Sequence, residues 1–100
     1  MINQHYFKNK RVTVVGLGRS GFACAVLLHN IGAQVSITER GNSGQVVTYA
    51  KQLPSAIKRE LGRHTQEFIK ERDLVVVSPG VDNKSQPLVW AKQFGIPIIS

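Results

Sequence analysis

The sequence holds a single cysteine, Cys24. No intrachain disulfide can form, nor a multi-cysteine metal site, and such sparing use of thiols suits a reducing compartment. On a helix, Cys24 is expected to act as a small core hydrophobe. No apolar run approaches the roughly 18–20 residues of a membrane span, and the stretch from Met1 to Arg11 lacks the apolar segment and cleavage site of a secretory signal. The expectation is a cytoplasmic protein with no membrane partner. His5, His29 and His64 share no metal-ligand spacing with one another or with Cys24. A nucleophile beside a base, a carboxylate pair and a G-x-x-x-x-G-K-[ST] phosphate loop are missing too, so the chain is expected to carry a binding site and no catalytic centre. Repeats, low-complexity tracts and linkers are also lacking. One hundred residues bury roughly 60–70% of their unfolded surface, enough for one core domain.

Acidic residues are few: six Asp and Glu stand against 13 Lys and Arg, a net charge of +7. The basic residues are spread, however. Lys8, Lys10 and Arg11 precede the first expected strand, while Lys58, Arg59, Arg63, Lys70 and Arg72 interleave with Glu60, Glu67 and Glu71 in the manner of a solvated helix surface. That interleaving does not suit a nucleic-acid face. A phosphate-bearing small ligand needs only a local positive site and is compatible with it.

Val12 to Val15 is a β-branched run of the kind found in a parallel strand covered on both faces. Gly16 stops it. From Ser20 to Asn30 the apolar residues Phe22, Ala23, Val26, Leu27 and Leu28 recur at helical spacing, and Gly32 stands where a helix C-terminal glycine belongs. Val35 to Thr38 reads as a second strand, Gly41 to Gly44 as loop, and Val46 to Leu53 as a short helix closed by Pro54. Between Ser55 and Gln66 the signal is mixed: Ala56, Ile57 and Leu61 suit a helical turn, with a brief strand expected near Arg63 to Thr65. Glu67 to Arg72 is expected to be a short helix, Leu74 to Val77 a buried strand, Pro87 to Phe94 a helix closed by Gly95, and Ile98-Ile99 an edge strand. Strands alternating with helices at this spacing imply a Rossmann-like, three-layer α/β domain with a mostly parallel sheet of about five strands. The stop at Ser100, directly after a strand, suggests a longer parent chain.

Gly16-Leu17-Gly18-Arg19-Ser20-Gly21 fits G-x-G-x-x-G and lies between a strand and a helix, where the pattern has physical meaning. Gly16 would permit the turn, Gly18 would let a phosphate approach the backbone, and Gly21 would let the helix pack close to the strand. The amides at the helix start then form an anion site. A glycine turn that serves packing alone is the alternative. Glu39 closes the second strand near where dinucleotide folds place the carboxylate that takes a ribose diol, which on its own favours NAD. Arg40 could stack on a base, pair with a phosphate or lie exposed. Ser78-Pro79-Gly80-Val81 follows the fourth strand at the sheet edge where open α/β sheets bind ligands, and by itself also fits an ordinary loop.

Taken together, the glycine turn, the Gly32-Ala33-x-Val35 run leading to Glu39 and Arg40, the block Leu74 to Val81 and the ending Gly95-Ile96-Pro97-Ile98-Ile99-Ser100 resemble the Mur ligases over nearly the whole chain. The resemblance implies that residues 1–100 are the N-terminal domain that holds the UDP part of UDP-N-acetylmuramoyl-L-alanine. In that family a central domain binds ATP and Mg²⁺, and a third helps bind D-glutamate, whose amine attacks an acyl phosphate formed on the substrate. The isolated chain is therefore expected to have no cofactor and no activity of its own. Carried over position by position, Leu17, Gly18, Arg19, Ser20 and Gly21 would contact the diphosphate. Glu39 and Arg40 would border the uracil, and Ser78, Pro79 and Gly80 would form the opposite wall. Asp is common in the family where this chain has Glu39. An NAD-binding regulatory or dehydrogenase domain also satisfies the glycine pattern and Glu39, and a protein-interaction module without a ligand is a third reading.

Overall fold

In the computed structural model, which describes residues 4–100, five strands lie in one sheet. They are Arg11–Val15 (β1), Gln34–Glu39 (β2), Lys58–Leu61 (β3), Leu74–Val77 (β4) and Ile98–Ile99 (β5). Their order is β3-β2-β1-β4-β5 and each neighbouring pair is parallel. The helices are Gln4–Phe7 (α1), Arg19–Asn30 (α2), Gly44–Gln52 (α3) and Gln86–Gln93 (α4), with a 3-10 turn at Gln66–Phe68. Parallel neighbours require crossovers, and here helices supply most of them.

The central strand shows why both faces are covered. Val12 and Val14 point into a core formed with Ala25 and Leu28 of α2, Ala50 of α3 and Ile37 of β2. Val15 joins Val75, Ile69, Leu88 and Ala91 in a second core under α4. The β-branched run is thus covered on each side, and its one hydroxyl, on the buried Thr13, is met by the Phe68 carbonyl and Arg72 Nε. Cys24 packs partly buried against the first core, where burial pushes its thiol pKa up. Gly32 follows α2 with φ +99°, the left-handed conformation that glycine takes at a helix end. Among the described residues no helix is long and apolar enough to cross a membrane.

Most elements fall where the hydrophobic pattern puts them, shifted by a residue or two at their ends. Two do not. The third strand is Lys58–Leu61, not Arg63 to Thr65. Gly62, at φ +81°, ends the strand, and Arg63 and His64 then turn toward the buried Thr38 hydroxyl. The expected helix from Glu67 to Arg72 is only a 3-10 turn, Gln66–Phe68. Glu71, at φ +59°, is in the left-handed region and breaks a right-handed helix there, and the Arg72 guanidinium that follows donates to the carbonyls of Lys70 and Glu67 and to Thr13 Oγ1.

Nor is the basic stretch uniformly a solvated face. Arg59 folds back and donates to the carbonyls of Ala50, Pro54 and Ile57, tying the end of α3 to β3. Hydrogen bonds from a charged donor are worth about 1.5–3 kcal/mol. Arg59→Met keeps the apolar stem and removes the donors. Urea denaturation should show a loss of about 2 kcal/mol, whereas a change below about 0.5 kcal/mol, typical of a free surface residue, would contradict this role.

Candidate functional site

From β1 the chain proceeds to β2 and β3 on one side, while β4 and β5 lie on the other. The order therefore reverses between β1 and β4. At such a switch point the loops leaving two neighbouring strands diverge, and a crevice opens at their carboxyl ends. Here those loops are the glycine turn after β1 and Ser78 to Val81 after β4. A cleft of about 470 Å³ lies between them, lined by Gly16 to Gly21, Ser78 to Val81, Glu39, Gln45 and Val46.

The glycines have separate tasks. Gly16 adopts φ +101°, which a residue with a Cβ resists. A Cβ on Gly21 would lie 1.9 Å from the Gly16 carbonyl oxygen and 2.7 Å from Ser78 Oγ, so α2 can start this close to β1 only with glycine there. Gly18 has φ −109°, open to any residue, and nothing lies within 4 Å of where its Cβ would be. Gly18 lines the cleft, and the space beside it is open.

Side chains fix the turn from two directions. Ser78 Oγ donates to the Gly16 carbonyl at 3.0 Å. Glu39 accepts from the Leu17 amide at 2.7 Å and from the Gly41 amide at 2.6 Å, one bond to each carboxylate oxygen. Leu17 is accordingly placed beneath the turn, its side chain fully buried and its amide occupied. The amides of Gly18, Arg19, Ser20 and Gly21 have no protein acceptor among the described residues. Gly18 is the N-cap of α2, no side chain caps it, and the first turn holds no acid. An uncapped helix start with free amides and the positive end of its dipole is an anion site. Arg19 and Ser20 are exposed beside it.

Glu39 and Arg40 reach a second chamber of about 230 Å³, which continues from the first past Gly16, Gly80 and Val81. Pro79 and Gly80 are exposed and form the outer wall of the cleft, while Ser78 sits deeper, with its hydroxyl committed to Gly16. His64 and Ser85 line this chamber too. Neither stood out in the sequence, because His64 follows an edge strand and Ser85 resembles a plain helix cap. At the opposite edge of the sheet Arg11, His29, Lys58 and Arg72 line a concavity of about 300 Å³. It opens at the amino ends of the strands, away from the switch point, and Arg72 spends its donors on the protein there.

A family model described as Mur ligase MurD-like, N-terminal domain, matches residues 10–100. Among curated relatives, the UDP-N-acetylmuramoylalanine--D-glutamate ligase of Acidobacterium capsulatum is 40% identical over 96 residues, covering 92% of this chain and 20% of that protein. The enzyme of the same name from Geotalea daltonii is 41% identical over 86 residues, covering 85% of this chain and 19% of that protein. The chain thus spans about a fifth of the length of these relatives. Among solved structures, a pseudomurein peptide ligase type C from Methanothermus fervidus superposes with a TM-score of 0.73 at 25% identity, over 91% of this chain and 19% of that one.

The glycine geometry predicts opposite outcomes for two similar changes. Gly21→Ala forces α2 away from the Gly16 carbonyl and should lower stability by about 1–3 kcal/mol, the usual cost of overpacking. Gly18→Ala meets open space at an unstrained φ and should leave stability within about 0.5 kcal/mol. Thermal or urea unfolding of the two proteins checks the pair, and equal destabilisation would contradict the assignment.

Proposed function

The chain belongs to the MurD-like Mur ligases, as their N-terminal domain, and from that membership we propose that it binds the UDP portion of UDP-N-acetylmuramoyl-L-alanine. The diphosphate lies on the free amides of Gly18 to Gly21, and the uridine extends past Glu39 and Arg40 between the β2 end and the wall of Ser78, Pro79 and Gly80. One observation carries this reading: an uncapped helix start, with unpartnered amides and room beside Gly18, opens into the crevice at the switch point. The chain's own contribution is to orient the substrate and hold its charged end. Glu39 positions the turn and Arg40 contributes positive charge. The parent enzyme is proposed to be the ligase its relatives are named for, joining D-glutamate to the alanyl end of this substrate in peptidoglycan synthesis.

ATP and Mg²⁺ belong, in this proposal, to the rest of a longer parent. The residues of this chain do not fit them: among the described residues no three His, Cys, Asp or Glu side chains come together for a metal, and the glycine turn has no lysine after it. No step through either group is assigned here. The NAD reading has less support, since the family that matches the chain is that of the Mur ligases.

Without the contacts of other domains, binding should be weak, with a Kd of about 0.1–1 mM, roughly 4–5.5 kcal/mol. NMR titration should show UDP binding more tightly than NAD, and the reverse order would restore the dehydrogenase reading. Gly18→Val should weaken UDP binding at least about tenfold, about 1.4 kcal/mol, while the melting temperature stays near that of the unaltered chain. Undiminished binding by the folded variant would mean that the turn serves packing alone.

A further inference from the structure

The UDP reading leaves the imidazole of His64 without a task. His64 Nδ1 lies 2.7 Å from Thr38 Oγ1, and the same hydroxyl lies 2.8 Å from Glu60 Oε2. A threonine hydroxyl has one proton to give and a carboxylate can only accept. The proton therefore goes to Glu60, and the hydroxyl oxygen accepts from the ring. That count fixes the tautomer: Nδ1 carries the hydrogen and Nε2 is a bare acceptor. Thr38 is fully buried, and the Thr65 amide holds the same Glu60 oxygen at 3.0 Å, so the arrangement is rigid.

Nε2 has no partner among the described residues. Only Ser85 Oγ among their side-chain polar atoms is both sealed from solvent and unpartnered, so Nε2 is open to a ligand. Burial lowers the His64 pKa below the ordinary imidazole range, Glu60 and Glu39 oppose the shift, and Arg40 adds to it. The ring is neutral at pH 7. His64 lines the second chamber with Glu39, Arg40, Gly80, Asp82 and Ser85. An acceptor thus shares a pocket with a donor, the Arg40 guanidinium.

We infer that His64 is a specificity-determining residue, its Nε2 accepting the N3–H of a uracil ring while Arg40 donates to a flanking carbonyl oxygen. This rests on the reading of the cleft as a UDP site. Uracil presents acceptor, donor, acceptor along that edge. Cytosine has a bare nitrogen at position 3 and an amino group in place of one carbonyl, which sets acceptor against acceptor at Nε2. A site built to hydrogen-bond a ligand group discriminates well against an analogue that lacks it, because the protein partner is left unpaired.

The test compares UDP with CDP, which carry the same diphosphate, so their ratio isolates the base. At pH 7.5 the 100-residue chain should bind UDP at least about tenfold more tightly than CDP, about 1.4 kcal/mol. His64→Phe should bring the two within about twofold by weakening UDP. Burial holds the ring neutral to a lower pH than an ordinary imidazole; once acid does protonate Nε2 it can no longer accept, so the preference should shrink over the same pH range in which the ring titrates. The charged groups around the ring, Glu60, Glu39, Arg40, Arg63 and Asp82, fix where that change falls. A ring ¹⁵N spectrum of the unaltered chain gives a readout that does not depend on the variant folding. It should show the Nδ1–H tautomer, with the Nε2 resonance moving on addition of UDP and not of CDP. Equal binding of the two nucleotides, an undiminished preference in folded His64→Phe, or an Nε2–H tautomer would overturn the role of His64 and leave the UDP site standing. Failure of both nucleotides to bind would remove the site reading and this inference with it.

Discussion

The approach of Gly21 to the Gly16 carbonyl is the constraint on which the rest of the site depends. A single methyl group at Gly21 would lie 1.9 Å from that oxygen, far inside contact distance. With glycine there, α2 starts directly against the end of β1, and its free amides face the crevice between β1 and β4. Two further contacts hold the approach in place. Ser78 reaches across from β4 to the Gly16 carbonyl, and Glu39 reaches across from β2 to the Leu17 amide. Three strand ends are thereby laced around one turn. Bonds of this kind to an ionised carboxylate are among the stronger ones in a protein, about 1.5–3 kcal/mol.

The same lacing decides the electrostatics. A carboxylate beside a phosphate site would ordinarily repel its ligand. Glu39 instead faces the Leu17 and Gly41 amides, so its charge is met by the protein. The first turn of α2 holds no acid, and Arg19 lies at the helix start. The overall charge of +7 matters less than this local arrangement, since Arg59 and Arg72 spend their donors on backbone carbonyls away from the cleft.

Much of this was legible in the sequence because it depends on features that sequence expresses directly. The β-branched run at Val12 to Val15 and the apolar run at Leu74 to Val77 mark strands covered on both faces, and glycine spacing marks the turn. The part that was not legible depends on side chains reaching across the fold. Lys58–Leu61 pairs with β2 despite charged residues, because an edge strand needs little apolar cover. Glu71 takes a left-handed φ of +59° that ends any helix from Glu67, which no residue pattern announces. Glu39 matched the position of a ribose-binding carboxylate, and only its distances to Leu17 and Gly41 reveal what it holds. His64 enters the second chamber through Thr38, a residue distant in sequence and silent in any motif.

The central claim is that the amides of Gly18 to Gly21 receive a diphosphate while the Leu17 amide stays with Glu39. The most direct measurement is a ¹H–¹⁵N correlation spectrum of the chain during titration with UDP. The account predicts the largest shifts at Gly18, Arg19, Ser20 and Gly21, lesser ones at Arg40 and Gly80, and a nearly stationary Leu17 amide. Shifts centred instead on Arg11, Lys58 and Arg72 at the opposite edge, or a Leu17 amide that moves most of all, would contradict it.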